Sequence, residues 1–492
     1  MLSLGIDLGT SSIKVSVVDA STQRCIASAQ YPETEREIIS SQPGCAEQSP
    51  TQWWDDVKKA IQKINAGNKY NPRDIKAIGI AYQMHGLVCI DKNTNILRDS
   101  IIWCDSRAVE IGNDACQKIG EEKCLSHLLN SPGNFTASKL AWVKQYEPEI
   151  YEKIDKIMLP GDFIAMMFTG EISTSIAALS EGIFWDFKNN ELSKDVMKHF
   201  GFDISFIPEI RNVFAEHGKL SSPVAKELSL TAGIAVSYKA GDQPNNALSL
   251  NVLQPGEVAA TAGTSGVIYA VIDQLIHDKQ SRVNSFAHVN HTTEENRIGV
   301  LLNINGTGIL NRWIKNIAGS SLTYQQINDA AATIKPGSDS LTILPFGNGA
   351  ERMLNNKTVN AHIRQIDFNR HGSAHLYRAA QEGIAFALRY GFDIMRENDI
   401  HPSVIRAGRA NMFLSSVFTE TFVNTTNTPV EFYNTDGSIG AAIGASIGAG
   451  FFKSFKEAFS KNKPIQKVEP QQTTLYNDLY EQWKTVLLKQ LN

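Results

Sequence analysis

The chain has 492 residues, 42% of them hydrophobic and 20% charged, with a formal net charge of -4. At that length one hydrophobic core gives way to two, each of roughly 200–250 residues. The charge balance excludes a basic nucleic-acid binder and an acidic tail, and Asp7 falls where a leader would be apolar; the expectation is a cytoplasmic protein with a small-molecule partner, without nucleic acid or membrane.

In chain order, Leu4 and Ile6, then Ile13, Val15 and Val17, alternate with the period of two that marks half-buried strands. Gly9-Thr10-Ser11-Ser12 interrupts them, which predicts a β-hairpin with a polar tip. The six cysteines, at positions 25, 45, 89, 104, 116 and 124, form no CxxC pair, so they suit neither a disulfide framework nor a zinc site and are expected to be reduced packing residues. Ile78–Ala81 and Leu87–Ile90 read as short strands around Gln83-Met84-His85-Gly86, with Trp103-Cys104-Asp105-Ser106-Arg107 soon after. A lone histidine near a strand end is usually a packed residue. This one stands among donors, acceptors and an aromatic ring, the equipment a polyol needs, because each hydroxyl both donates and accepts.

Gly241-Asp242-Gln243 closes a predicted strand near Ile234–Val236. Open α/β sheets hold ligands at the carboxyl ends of their strands. Phosphoryl transfer asks little of a protein beyond an oriented hydroxyl, a group to take its proton and neutralisation of phosphate charge, and Asp242 suits the second task. Roughly half the chain after the first tip, Ala260-Thr261-Ala262-Gly263-Thr264-Ser265-Gly266-Val267 repeats the pattern of Ile6 to Ile13. Such self-similarity points to a duplicated domain closing over one ligand. Two Gly-Thr-Ser tips facing each other would clamp a polyphosphate through backbone N–H groups and hydroxyls. No P-loop and no Rossmann glycine motif is present, so the phosphate site is of another kind. Asp7 beside phosphate is repulsive unless a cation lies between, which calls for Mg²⁺.

Ile439 to Phe452 is small and apolar but shorter than the roughly 20 residues that span a bilayer, and it reads as a buried helix. Gly440, Gly444 and Gly448 fall on one face of it. At about 1 kcal/mol per glycine against alanine, something must offset them: close helix packing, or a hinge at a domain junction. Leu475 to Leu491 has the spacing of an amphipathic capping helix.

These segments together resemble the FGGY family of carbohydrate kinases, in the superfamily of sugar kinases, actin and Hsp70, over almost the whole length. Gly5–Thr10 resembles the family's first phosphate motif, Thr261–Gly266 its second, Asn134–Glu149 its signature and Leu159–Glu171 the segment after it. The Gln83–Gly86 and Leu97–Arg107 stretches, with Gln42–Gln48, are most similar to the branch whose acceptor is D-xylulose. The resemblance implies an α/β fold of two ribonuclease-H-like domains of the actin/hexokinase type with a central cleft, at 1–246 for the sugar and 247–492 for ATP. It implies ATP and Mg²⁺ as cofactors, transfer to the terminal hydroxyl of D-xylulose with Asp242 as base, and a homodimer. Gln83, Met84, His85, Trp103, Asp105, Arg107 and Gln243 are the expected sugar residues, with Trp103, Asp105 and Arg107 in the pocket wall or just behind it. Asp7, Gly9, Thr10, Ser11, Gly263, Thr264, Ser265, Gly408 and Asn411 are the expected ATP residues, with Asp7 and Asp242 at the metal. Pro244-Asn245-Asn246 and Arg409 depart from the family pattern at the sugar and adenosine motifs. Other acceptors (ribulose, a polyol, gluconate) and a nucleotide-driven binding protein on the same scaffold are the alternatives.

Overall fold

The computed structural model describes residues 1–491. The opening hairpin forms as its periodicity predicts: β1 (Leu2–Leu8) pairs antiparallel with β2 (Ile13–Asp19), setting Asp7 opposite Lys14 and Leu8 opposite Ile13. β3 (Arg24–Tyr31) continues the meander, while β4 (Ile75–Tyr82) and β5 (Ala235–Gly241) add in parallel on the other side of β1. The order is therefore β5-β4-β1-β2-β3.

The second half repeats this plan. β6 (Glu257–Ala262) and β7 (Gly266–Ile272) make the second hairpin. β8 (Asn284–Ala287) and β9 (Ile298–Ile304) extend it antiparallel, β10 (Val404–Gly408) and β11 (Val430–Tyr433) run parallel to β6, and β12 (Gln466–Val468) closes the edge. The order is β8-β9-β7-β6-β10-β11-β12. Without the edge strands β8 and β12, strand order and directions match the first sheet, which is the duplication that the two Gly-Thr-Ser tips announce.

Seven helices position the cleft: α1 (Pro50–Ala66), α2 (Thr136–Tyr146), α3 (Asp242–Ser249), α4 (Gly308–Ala318), α5 (Ser373–Glu397), α6 (Gly437–Gly448) and α7 (Thr473–Leu491). On the first sheet, Leu4, Ile6 and Leu8 bury against Trp53, Trp54 and Ile61 of α1. The opposite face is covered by α6, which comes from the second half of the sequence. Gly5 of β1 and Gly79 of β4 abut the backbone of α6 so closely that a Cβ at either would collide with Ser438 O or Ala441 O. The glycines of α6 answer them: a Cβ on Gly440 would lie 2.7 Å from Ser249 Cβ, one on Gly444 2.6 Å from the Tyr238 ring, and one on Gly448 would strike Ser237 O. The three-glycine face is thus explained by close packing at the junction of the halves. α7 caps the second lobe with Tyr476, Tyr480, Trp483 and Leu487 buried.

Two readings are corrected. Of the six cysteines, all free, Cys25 and Cys104 are exposed and only the other four are buried. Pro244 and Asn245 do not shape the sugar pocket: both are buried in α3, where Asn245 Nδ2 donates to Gly437 O at 2.8 Å.

Candidate functional site

The carboxyl ends of β1, β4 and β5 and the hairpin tip of the second sheet converge on a cavity of about 450 Å³. Thr10, Met84, His85, Trp103, Asp242 and Gln243 line it from the first half, Ser265, Asn303 and Arg352 from the second. Asp242 is the first residue of α3, so β5 ends and the helix begins at the carboxylate itself. Burial, then the charge of Asp7, pushes Asp242 up to about 7, while hydrogen bonds from Gln243 oppose the rise. Burial, then Asp436, pushes Asp7 up to about 6, against the pull of Lys14. Both carboxylates are partly screened from water, and Asp7 adds negative charge beside Asp242, so the site is short of positive charge.

His85 is held in a left-handed backbone conformation, φ 61°, which non-glycine residues adopt at a cost and mainly where surroundings impose it. Its Nδ1 lies 2.9 Å from Glu181 O, and its ring rests on Phe135 (4.8 Å) and Phe286 (5.2 Å). A carbonyl only accepts, so Nδ1 carries the proton and Nε2 keeps a lone pair. Burial, with Lys139 nearby, pulls the imidazole down to about 3. His85 is therefore a neutral acceptor for a ligand hydroxyl. Lys139, buried on α2, donates to His85 O at 2.8 Å and to Ile102 O at 2.9 Å. It ties the two segments of the pocket wall together.

Three expected sugar residues act elsewhere. Gln83 is buried beneath the first tip, where its Oε1 accepts from Thr10 Oγ1 at 3.2 Å and its Nε2 donates to Gln48 Oε1 at 3.0 Å. Gln48 in turn donates to Thr10 O at 2.7 Å. Asp105 is fully buried and accepts from Ala46 N at 2.6 Å and from Arg107 Nε at 2.8 Å. Arg107 pairs with Glu47 at 2.7 Å and lies over Trp142 at 4.7 Å. Asp105 and Arg107 thus build the support for the Trp103 loop and do not line the central cavity. Buried charges are kept only when paired, and here the pairing holds a loop. Trp103, half exposed, lines the cavity and donates from Nε1 to Thr10 Oγ1 at 2.9 Å. The Thr10 hydroxyl is consequently engaged with Gln83 and Trp103 and has no proton left to offer an anion. Gly9 closes the tip by donating to Ser12 O at 3.2 Å, and Ser11 O accepts from Arg36 N at 2.8 Å. Gly9 and Ser11 do not line the central cavity.

A second cavity, of about 510 Å³, opens beside the other tip. Gly263, Thr264 and Asn411 line it, joined by Arg312, Tyr324 and Asn328. The N-terminus of α4 is packed on the tip, with Gly308 N donating to Gly263 O at 2.9 Å and Thr307 Oγ1 to Thr264 O at 3.1 Å. Ile309 N likewise donates to Thr264 O at 3.2 Å, so the first N–H groups of α4 are spent on holding the tip. The segment Asn305-Gly306-Thr307-Gly308 carries a Gly-Thr pair of its own, and that signal could have revealed this wall in the sequence. Gly408 ends β10 opposite Tyr433 and does not line the cavity, and Arg409 is exposed.

Among the described residues no group of three or more His, Cys, Asp or Glu side chains could hold a metal, and no helix is long and apolar enough to cross a membrane. Mg²⁺ needs no such cage: it takes one or two carboxylates and fills its octahedron with water and phosphate oxygens. Asp7 and Asp242, mutually repelling and hard-oxygen donors, fit that requirement.

Comparison with known proteins gives a consistent result. Residues 2–249 match the sequence model described as the FGGY family of carbohydrate kinases, N-terminal domain, and residues 258–450 match the C-terminal domain of the same family. The chain is 30% identical over 499 aligned residues to a xylulose kinase of Staphylococcus epidermidis, covering 98% of this chain and 95% of that one. In structure it is similar to a xylulose kinase from Rhodospirillum rubrum (TM-score 0.87, 21% identity, 99% of each chain). It is equally similar to a gluconate kinase from Lactobacillus acidophilus (TM-score 0.88, 20% identity, 100% of this chain and 98% of that one).

Proposed function

This chain belongs to the FGGY family of carbohydrate kinases and is a sugar kinase; from that premise we propose that it transfers the γ-phosphoryl group of ATP to the terminal hydroxyl of D-xylulose. The observation that carries the reading is the place of Asp242, the first residue of α3 at the end of β5, in a cavity lined by both halves of the duplication, with Asp7, two strands away near the end of β1, near enough for its charge to act on it. In this reading the sugar lobe is 1–246 and the ATP lobe 247–492, with adenosine in the cavity beside Asn411 and the phosphates running between the two tips.

The residues then divide the tasks. Asp242, held near neutrality by burial, accepts the proton of the attacking hydroxyl; a base works best when its pKa lies near the operating pH. His85 Nε2 accepts from a neighbouring hydroxyl and turns the sugar so that the terminal one meets the acid. Met84 gives the sugar an apolar wall, and Trp103 covers it while bracing Thr10. The N–H groups of the two tips hold phosphate oxygens in line with the acceptor, while α4 fixes the second tip in place. Asp7 and Asp242 would hold Mg²⁺, which when bound neutralises the negative charge gathered there. Closure of the lobes keeps water from the γ-phosphate, so that sugar is the acceptor.

The test is ADP release with ATP and Mg²⁺ over D-xylulose, D-ribulose, glycerol and D-gluconate, with the position of the product phosphate read by NMR. D-xylulose is expected to give the highest kcat/KM and a terminal phosphate ester. Preference for another member of the panel would replace the acceptor; release indifferent to every acceptor would replace the kinase.

A further inference from the structure

The central cavity contains one charge that the mechanism above leaves idle. Arg352 enters it from the second lobe, on the short turn Arg352–Leu354. Its neighbour Glu351 does not neutralise it: that carboxylate turns to the Asn305 backbone N–H, at 3.0 and 3.1 Å. The guanidinium makes one long hydrogen bond, Nη1 to Ser281 O at 3.4 Å, and no carboxylate among the described residues pairs with it. Arginine placed away from water is ordinarily paired, since five N–H donors and a full charge are expensive to leave unmet. Burial indeed disfavours its charged form.

The position of the charge is equally informative. Arg352 Nη1 reaches Ser281 O at 3.4 Å, just before β8, and Phe286 of β8 packs on the His85 ring at 5.2 Å. The guanidinium therefore stands on the wall of the cavity that β8 shares with His85. Around it the wall is amide: Asn284, Asn303, Asn305 and Asn356, and the Oδ1 of Asn284 is buried without a partner. Amides serve hydroxyls in either sense, but a guanidinium only donates.

We propose that Arg352 sets acceptor specificity by binding the end of the acceptor opposite the phosphorylated hydroxyl, and that this end carries an oxygen that only accepts, a ketone carbonyl or a carboxylate. The proposal rests on the sugar-kinase reading and narrows it. Ketoses and sugar acids fit; alditols fit less well, because a hydroxyl placed there keeps a donor of its own that faces five others. It also gives the second lobe a direct grip on the sugar, so that an acceptor bridging His85 and Arg352 draws the lobes together.

The test reads binding apart from turnover, using D-xylulose (ketone), D-gluconate (carboxylate) and xylitol (the alditol of xylulose). Calorimetry on the wild type should rank at least one of the first two above xylitol. Arg352→Met should raise the Kd and KM of that preferred ligand by about tenfold, the scale of one charge-assisted hydrogen bond. The variant should lose the preference over xylitol and keep its KM for ATP. Arg352→Lys should fall between, and an unchanged ATP-induced rise in melting temperature shows that both variants are folded. A larger loss for gluconate identifies the carboxylate, a larger loss for xylulose the ketone. Unchanged acceptor binding in Arg352→Met, equal weakening of all three ligands, a change confined to ATP, or a wild type that binds none of the three would each overturn the proposal. A wild type that binds them but phosphorylates none would instead overturn the kinase reading, with the Arg352 comparison still legible in the binding data.

Discussion

Asp242 faces opposite demands from stability and chemistry. Its folded-state pKa, about 7, lies above the ordinary 3.8. The folded state thus holds a proton that the unfolded chain has already released between pH 4 and 7. Stability from this group is present below pH 4 and lost as pH rises through about 7. Asp242→Asn should therefore melt higher than wild type at pH 8 in chelator, by the equivalent of about 1–2 kcal/mol once the full shift is discounted for partial exposure. The two should converge near pH 4. The same substitution should lower kcat by about 10²–10⁴ while ATP still binds. A variant no more stable than wild type at pH 8 would contradict the electrostatic strain described here. Gln83 makes the complementary case. Gln83→Ala removes the acceptor of the Thr10 hydroxyl and the donor to Gln48, leaving buried polar atoms unmet at about 1–3 kcal/mol. Kinetic damage should appear in the KM for ATP rather than for the sugar; a selective rise in sugar KM would return Gln83 to the acceptor site.

Much at the level of elements was legible in the chain. Both hairpins follow from period-two alternation broken by a Gly-Thr-Ser tip, and α6 and α7 from their spacing, because each is dictated by neighbours in sequence. What the chain concealed depends on distant partners. Asp105 and Arg107 look like sugar ligands until Ala46, Glu47 and Trp142 are seen beside them. Lys139 and Arg352 carry no local signal, since nothing near them in sequence tells that one meets two carbonyls and the other a cavity. The glycines of α6 were readable as a face, but only the structure supplies the facing glycines Gly5 and Gly79. Crowding there is severe enough that Gly79→Ala or Gly448→Ala should destabilise by about 1–3 kcal/mol or more, measured by urea denaturation. An exposed glycine such as Gly233, with nothing near its missing Cβ and φ +83°, should cost only its backbone strain. Equal effects at Gly448 and Gly233 would show that the α6 contact is looser than described.

For the molecule as a whole, duplication is what makes the cleft. Each half brings one sheet and one tip, and the central cavity is lined by both. The halves are held by α6, which the second half contributes to the first sheet through Ser3–Ser446 (2.7 Å), Ser16–Ser438 (2.7 Å) and Lys14–Asp436 (2.6 Å). Asp436 also caps α6 and influences Asp7, so the junction and the acid site share one residue. The central claim is that two tips grip the nucleotide's phosphates while Asp242 meets the acceptor. The most direct measurement is a crystal structure with Mg²⁺, a non-hydrolysable ATP analogue and D-xylulose. The account predicts a triphosphate between Gly9–Ser12 and Gly263–Ser265, with the acceptor's terminal hydroxyl within about 2.6–3.2 Å of the Asp242 carboxylate. Phosphates resting against neither tip, or a sugar bound out of reach of Asp242, would contradict it.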